Sequence, residues 1–163
     1  MSAMLCRLAG AGLACVLASS ANAELLARKD LTAALAMSIA DTTIATCKAN
    51  GYAVSVTVVG RNGEVLLQVR GDNTGPHTME NSFRKAYTSR TFRVPSGEIA
   101  ERVKQNPQLP LLLLSNTTSA QGALPIKVGD DVIGAVGISG APGGDKDEVC
   151  SKAGIDKVAD QLK

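Results

Sequence analysis

The run Gly134-Ala135-Val136-Gly137-Ile138-Ser139-Gly140-Ala141-Pro142-Gly143-Gly144-Asp145 constrains this chain more than any other stretch. It joins a glycine-dense apolar strand to a glycine-proline turn and an acidic helix start, with no spacer between them. Glycine inside a strand costs backbone entropy and offers nothing to pack, so it usually marks close approach by another backbone or by a ligand. Val132 to Ile138 shows no polar alternation, which predicts a strand covered on both faces. The glycines therefore fit a tightly packed sheet centre as well as a surface that receives a guest.

The rest of the chain supplies the layers. Asp30 is placed to cap a helix from Leu31 to about Ala49, with Leu31, Leu35 and Ile39 at helical spacing and Asn50-Gly51 as its stop. Ala53 to Val59 is rich in β-branched residues, and Arg61-Asn62-Gly63 turns it into Val65 to Arg70 as a hairpin. Gly71 to Pro76 reads as a loop, and His77 or Thr78 as the cap of a second helix from about Met79 to Thr91. Val94-Pro95 ends that helix, and Ser96 caps a short third one through about Lys104. Leu111 to Leu114 reads as a brief apolar strand or buried loop, and Asn116 to Gly122 as a polar loop. Ala123 to Val128 and Val132 to Ser139 form a second hairpin, and Asp145 with Glu148 three residues on opens the last helix as a capping box. Strands joined by hairpins, with helices before, between and after them, predict an α+β domain around an antiparallel sheet.

Residues 1–23 read as a secretory signal: Arg7, then the apolar run Leu8 to Ala18, then Ala21-Asn22-Ala23 as a small-x-small cleavage site. The expected mature chain is a single domain over residues 24–163, exported to a periplasm or secreted. Seventeen Lys and Arg against fifteen Asp and Glu leave no strong field to draw the protein to nucleic acid. Aromatic residues are limited to Tyr52, Phe83, Tyr87 and Phe92, which argues against a base-stacking surface. Two cysteines, Cys47 and Cys150, fall in the mature chain. In an oxidising compartment they would pair, but each sits among alanines where a buried free thiol is equally at home. Their separation from one another and from the single histidine matches no zinc spacing.

Five segments taken in order resemble the GlcG/HbpS family, the haem-degrading-domain family. They are Gly51-Tyr52-Ala53-Val54, Gly75-Pro76-His77-Thr78, Arg84-Lys85-Ala86-Tyr87-Thr88, Leu124-Pro125-Ile126 and the Gly134 to Asp145 run. The resemblance covers essentially the whole mature chain. It implies a profilin-like α/β/α arrangement around a five-stranded antiparallel sheet, and assembly into homo-oligomers, often octamers. It also implies haem as a ligand in some exported members, which modulate a membrane sensor kinase, and glycolate or diol catabolism in others.

Candidate site residues follow from chemistry read beside that resemblance. His77, the only histidine, is a natural haem-iron ligand on a loop before a helix, or else a helix cap. Arg84 and Lys85 are candidate partners for haem propionates, with Arg90 and Arg93 further along the same segment. Backbone donors of Gly140, Gly143 and Gly144, at the start of the last helix, could receive an anion. Glu98 and Glu101 share a helix face; the resemblance implies that such a Glu-x-x-Glu pair holds iron, while first-turn glutamates also simply suit the helix dipole. No nucleophile elbow accompanies His77, and the glycines miss the dinucleotide-binding register. The expectation is a haem-binding protein with storage, protective or sensory work rather than rapid catalysis. An enzyme or accessory subunit for a small organic acid or corrinoid is the alternative, and a non-catalytic interaction module a further one.

Overall fold

A computed structural model describes residues 24–163; the secretory-signal expectation lies outside the described residues. Helix α1 (Ala33–Ala49) is followed by strands β1 (Ser55–Val59) and β2 (Val65–Arg70), then helices α2 (Thr78–Phe92) and α3 (Ser96–Gln105). Strands β3 (Ala123–Val128) and β4 (Asp131–Ser139) and helix α4 (Gly144–Lys157) complete the chain, with a short 3-10 turn at Ala159–Gln161. The sheet has the order β2-β1-β4-β3, antiparallel throughout. Helices α1 and α4 cover one face and α2 the other, with α3 against α2.

The sheet has four strands, not five. The expected extra strand, Leu111 to Leu114, falls in a 3-10 turn over Pro110–Leu113. Pro107 and Pro110 lack the amides a ladder needs, and Leu113 and Leu114 are exposed rather than buried. Three expected helix caps are also displaced: Ser96 lies inside α3 with Pro95 at the cap position, and its hydroxyl accepts from Ala123 N at 3.0 Å. Thr32, not Asp30, caps α1 by accepting from Leu35 N at 3.2 Å. Asp30 instead accepts from Arg61 Nε at 2.8 Å, and Arg61 also reaches Asp131 at 2.7 Å, tying the N-terminal segment to both hairpins. Helix α4 starts at Gly144 with Gly143 as its cap residue, so neither Asp145 nor Glu148 performs the expected capping.

The two faces of the sheet are chemically different, and β1 shows why. Val54, Val56 and Val58 point to the α1/α4 side, where they meet Ile39, Val136, Ile138 and Val158 in the main core. Alternate residues Ser55 and Thr57 point to α2, where Ser55 pairs with Thr78 at 2.7 Å and Thr57 with Ser82 at 2.8 Å. All of these hydroxyls are buried and partnered, as a buried polar layer must be. Every residue of β4 from Val132 to Ser139 is buried, as its unbroken apolarity predicts.

The strand glycines serve this packing. A side chain at Gly137 would overlap Ser82 O and lie 2.5 Å from Ala86 N, so its absence lets α2 lie directly on the sheet. A side chain at Gly134 would lie 2.5 Å from Val59 O. The close neighbour of both is the protein's own backbone, not a guest. Cys47 and Cys150 form a disulfide, fully buried, with Cα atoms 5.6 Å apart, fastening the end of α1 to the middle of α4. Beside it Gly154 lets the helices close, since a side chain there would lie 2.6 Å from Ile39 O.

Candidate functional site

The ends of β1 and β4 nearest Ala53 and Ser139 open on a cleft of about 600 Å³. Its walls come from three places: the Gly51-Tyr52-Ala53 turn after α1, the start of α2 with His77, and the Gly140 to Gly144 turn into α4. A second lobe of about 460 Å³ lies between the end of α1 and β2 and shares Gly51, Tyr52, Ala53 and Asn73 with the first. The chemistry is concentrated in the first lobe.

At its base Lys85 Nζ donates to Asp147 Oδ2 at 2.7 Å, with the two side chains only 6% and 2% exposed. It is the one ion pair buried on both sides among the described residues. The pair joins α2 to α4, and Asp147 Oδ1 also accepts the Ala141 N–H at 3.2 Å, fixing the turn above it. Burial pushes the Asp147 carboxyl above its ordinary range, against the pull of the Lys85 ammonium and the Ala141 amide. Beside the pair, Asn81 donates to Ser139 Oγ at 3.0 Å.

His77 stands on the lip. It occupies the cap position of α2 but makes no side-chain capping bond and is exposed. Thr78 does the local work instead, donating to Gly75 O at 2.8 Å. The imidazole is thus left available to a ligand in the cleft. Across from it, the first amides of α4 have no intrahelical partner. Gly140, Gly143 and Gly144 all line the cleft, but their reasons differ. Gly140 has φ +134° and would place a side chain 2.9 Å from Val54 Cα, so it is demanded by the Ala53 turn. Gly144 would meet Gln121 O at 2.6 Å. Only at Gly143 is the space limited by nothing but the mobile end of the Asp145 side chain.

The structure therefore brings His77, Lys85, Gly140, Gly143 and Gly144 to one cleft and leaves the other candidates elsewhere. Arg84 donates to Thr117 O at 2.8 Å and pairs with Glu80 at 3.6 Å, outside the cleft. Arg90, half-buried at the far end of α2, has its guanidinium pKa lowered by burial and by Arg93. Glu98 and Glu101 line a separate cavity with Gln121 and Glu148, and they pair with Arg102 at 3.7 Å and Lys104 at 3.7 Å. They share no site with His77. Among the described residues no three His, Cys, Asp or Glu side chains converge as a metal site. The sequence reading missed Asp147, Asn81 and Tyr52. Asp147 reads in sequence as an ordinary first-turn acid of α4, and no local signal joins it to Lys85, 62 positions away.

The chain matches known proteins along most of its length. A family model described as "Haem degrading protein HbpS-like" matches residues 31–156. The crystal structure of a double mutant of Streptomyces reticuli HbpS is 33% identical and superposes with a TM-score of 0.77, over 81% of this chain and 89% of that one. Klebsiella pneumoniae protein ORFY is 25% identical with a TM-score of 0.77, over 84% of this chain and 96% of that one. An uncharacterized 15.0 kDa protein of the Citrobacter freundii dhaT-dhaS intergenic region is 36% identical over 90 residues. That match spans 53% of this chain and 63% of the Citrobacter protein. With the four-stranded α+β fold and the Gly-rich turn accounted for, the chain belongs to the HbpS-like haem-degrading family.

Proposed function

We propose that this is an exported haem-binding protein whose work is storage, protection or sensing. The observation that carries the reading is the unengaged His77 imidazole on the lip of an open cleft of about 600 Å³. Neutral imidazole is a common axial ligand of haem iron. The donor set fits haem at this point: one nitrogen donor reaches the cleft, and the glycine turn supplies main-chain donors rather than bulk. We propose a homo-oligomer, octameric or otherwise, as the working form. Bound haem would supply the iron redox and ligand chemistry. Of this chain's residues, His77 would hold it by its imidazole, with the Gly143-Gly144 turn forming the facing wall of the cleft. Lys85 acts one step removed, through Asp147, by keeping that turn in place.

Export rests on residues 1–23 and is supported by the Cys47–Cys150 disulfide, which suits an oxidising compartment. A membrane sensor kinase is the proposed partner of the sensory form. Absorbance of the protein purified from its native compartment tests the whole reading. A Soret band that co-purifies at a fixed ratio to protein is expected, and a haem-free protein that hemin cannot saturate would overturn it.

A second reading has one observation in its favour. A buried Lys–Asp pair with a raised carboxyl pKa at the base of a cleft is the setting in which small polar substrates are bound or turned over. In that reading the protein is an enzyme or accessory subunit for a small organic acid or a corrinoid. Thermal stabilisation by such compounds, with no response to hemin, would select it.

A further inference from the structure

We propose that Lys48 and Arg70, in the second lobe of the cleft, hold the anionic groups of the ligand that His77 engages. The inference rests on the haem reading and names the residues that would receive the propionates. The residues first expected in that role are unavailable: Lys85 is locked to Asp147 beneath the cleft, and Arg84 is turned away to Thr117 O. A carboxylate arriving at the cleft would have to displace a buried ion pair to use Lys85, which leaves Asp147 uncompensated in the interior.

The second lobe offers what the first lacks. It is floored by apolar Ile44, Val54 and Val69 and carries two cations, Lys48 and Arg70. Both side chains are exposed. Among the described residues neither lies within salt-bridge distance of a carboxylate. Asp72 lies on the same lobe, so the local surplus is one positive charge. An apolar floor beside unpaired cations suits an amphipathic body that ends in carboxylates.

Arg70 also couples the two lobes. Its guanidinium donates to Gly75 O at 3.2 Å and Pro76 O at 3.4 Å, in the loop that delivers His77. These are long bonds to neutral acceptors. A carboxylate gives a shorter, charge-assisted and bidentate alternative to the same fork. The two lobes meet at the Gly51-Tyr52-Ala53 turn, one lined from α1 and the other from α2, and a ligand reaching past that turn would present its iron to His77 and its acids to Arg70.

The test titrates the purified full chain with hemin and with hemin dimethyl ester, whose carboxyls are blocked. Wild type should bind hemin about tenfold or more tighter than the diester, the scale of one to two charge-assisted contacts. The Lys48→Ala/Arg70→Ala variant should lose that preference, binding hemin and the diester alike. Lys48→Arg should retain most of it, whereas Arg70→Lys, which keeps the charge but loses the fork, should lose part of it. Equal binding of hemin and diester by wild type, or a double variant that keeps the preference, would overturn this assignment and leave His77 binding intact. Failure of wild type to saturate with either compound would overturn the haem reading and this inference together.

Discussion

Lys85 on α2 and Asp147 on α4 meet at 2.7 Å at the base of the cleft, with both side chains almost wholly buried. The pair connects the two helices that flank the cleft-lining glycine turn, which is why an ion pair that contributes little net stability can still set the shape of a site. Removing one partner leaves a bare charge in the interior, which costs about 3–5 kcal/mol. Lys85→Met should therefore lower stability by about that amount, read as the shift in urea midpoint. A Lys85→Met/Asp147→Leu double variant should recover most of the loss while weakening whatever binds in the cleft.

The acid limb of stability should come from a different carboxylate. Arg61 holds the Asp131 carboxyl below its ordinary range. That contribution is fully present above the unfolded-state pKa and is lost as pH falls through the folded one. Asp131→Asn should thus be less stable than wild type near neutrality and converge with it in acid. Asp147 has the opposite sign: its raised pKa makes its contribution greatest below the ordinary carboxylate range and weaker as pH rises through the raised value. Urea midpoints of wild type and Asp131→Asn from pH 7 to 3 check this; parallel curves would refute it.

Much of the fold could be read in the residues. Asn62-Gly63 with the flanking β-branched runs specified the first hairpin, and the unbroken apolarity of Val132 to Ile138 specified a central strand. Leu111 to Leu114 misled because apolar composition alone does not distinguish a strand from an exposed turn. The prolines at 107 and 110 were the deciding signal. At the site, His77 and the glycine turn were legible because each is locally unusual. The Lys85–Asp147 pair was not, since it joins positions 62 apart and Asp147 looks like an ordinary first-turn acid. The meaning of Gly134 and Gly137 also needed three dimensions. Sequence says that something comes close there, but only the packing of α2 says what.

The disulfide closes a 103-residue separation and is wholly buried. In the chain-entropy model its loss costs about 4–5 kcal/mol. The Cys47→Ala/Cys150→Ala variant should lose roughly that much in urea unfolding. Reductant should act on wild type only once denaturant opens the chain, so thiol titration of the native mature protein should find no reactive cysteine.

Two glycines that look alike in sequence should behave oppositely. Gly137→Ala places a side chain into the backbone of α2 and should destabilise by at least about 1–3 kcal/mol, the usual cost of overpacking. Gly143→Ala meets only the Asp145 side chain and should leave the thermal midpoint nearly unchanged. Differential scanning calorimetry of the two variants separates the packing role from the cleft-lining one. Equal losses would mean that the Gly143 turn is as tightly enclosed as the sheet.

Hemin titration of the wild-type protein and the His77→Ala variant, followed at the Soret band, tests the central claim most directly. A saturable shift in wild type that weakens about tenfold or more in the variant is expected if the chain's single imidazole holds the iron, with the circular dichroism of the two proteins unchanged. A variant that saturates at the same hemin concentration and with the same spectrum as wild type would show that iron does not meet His77.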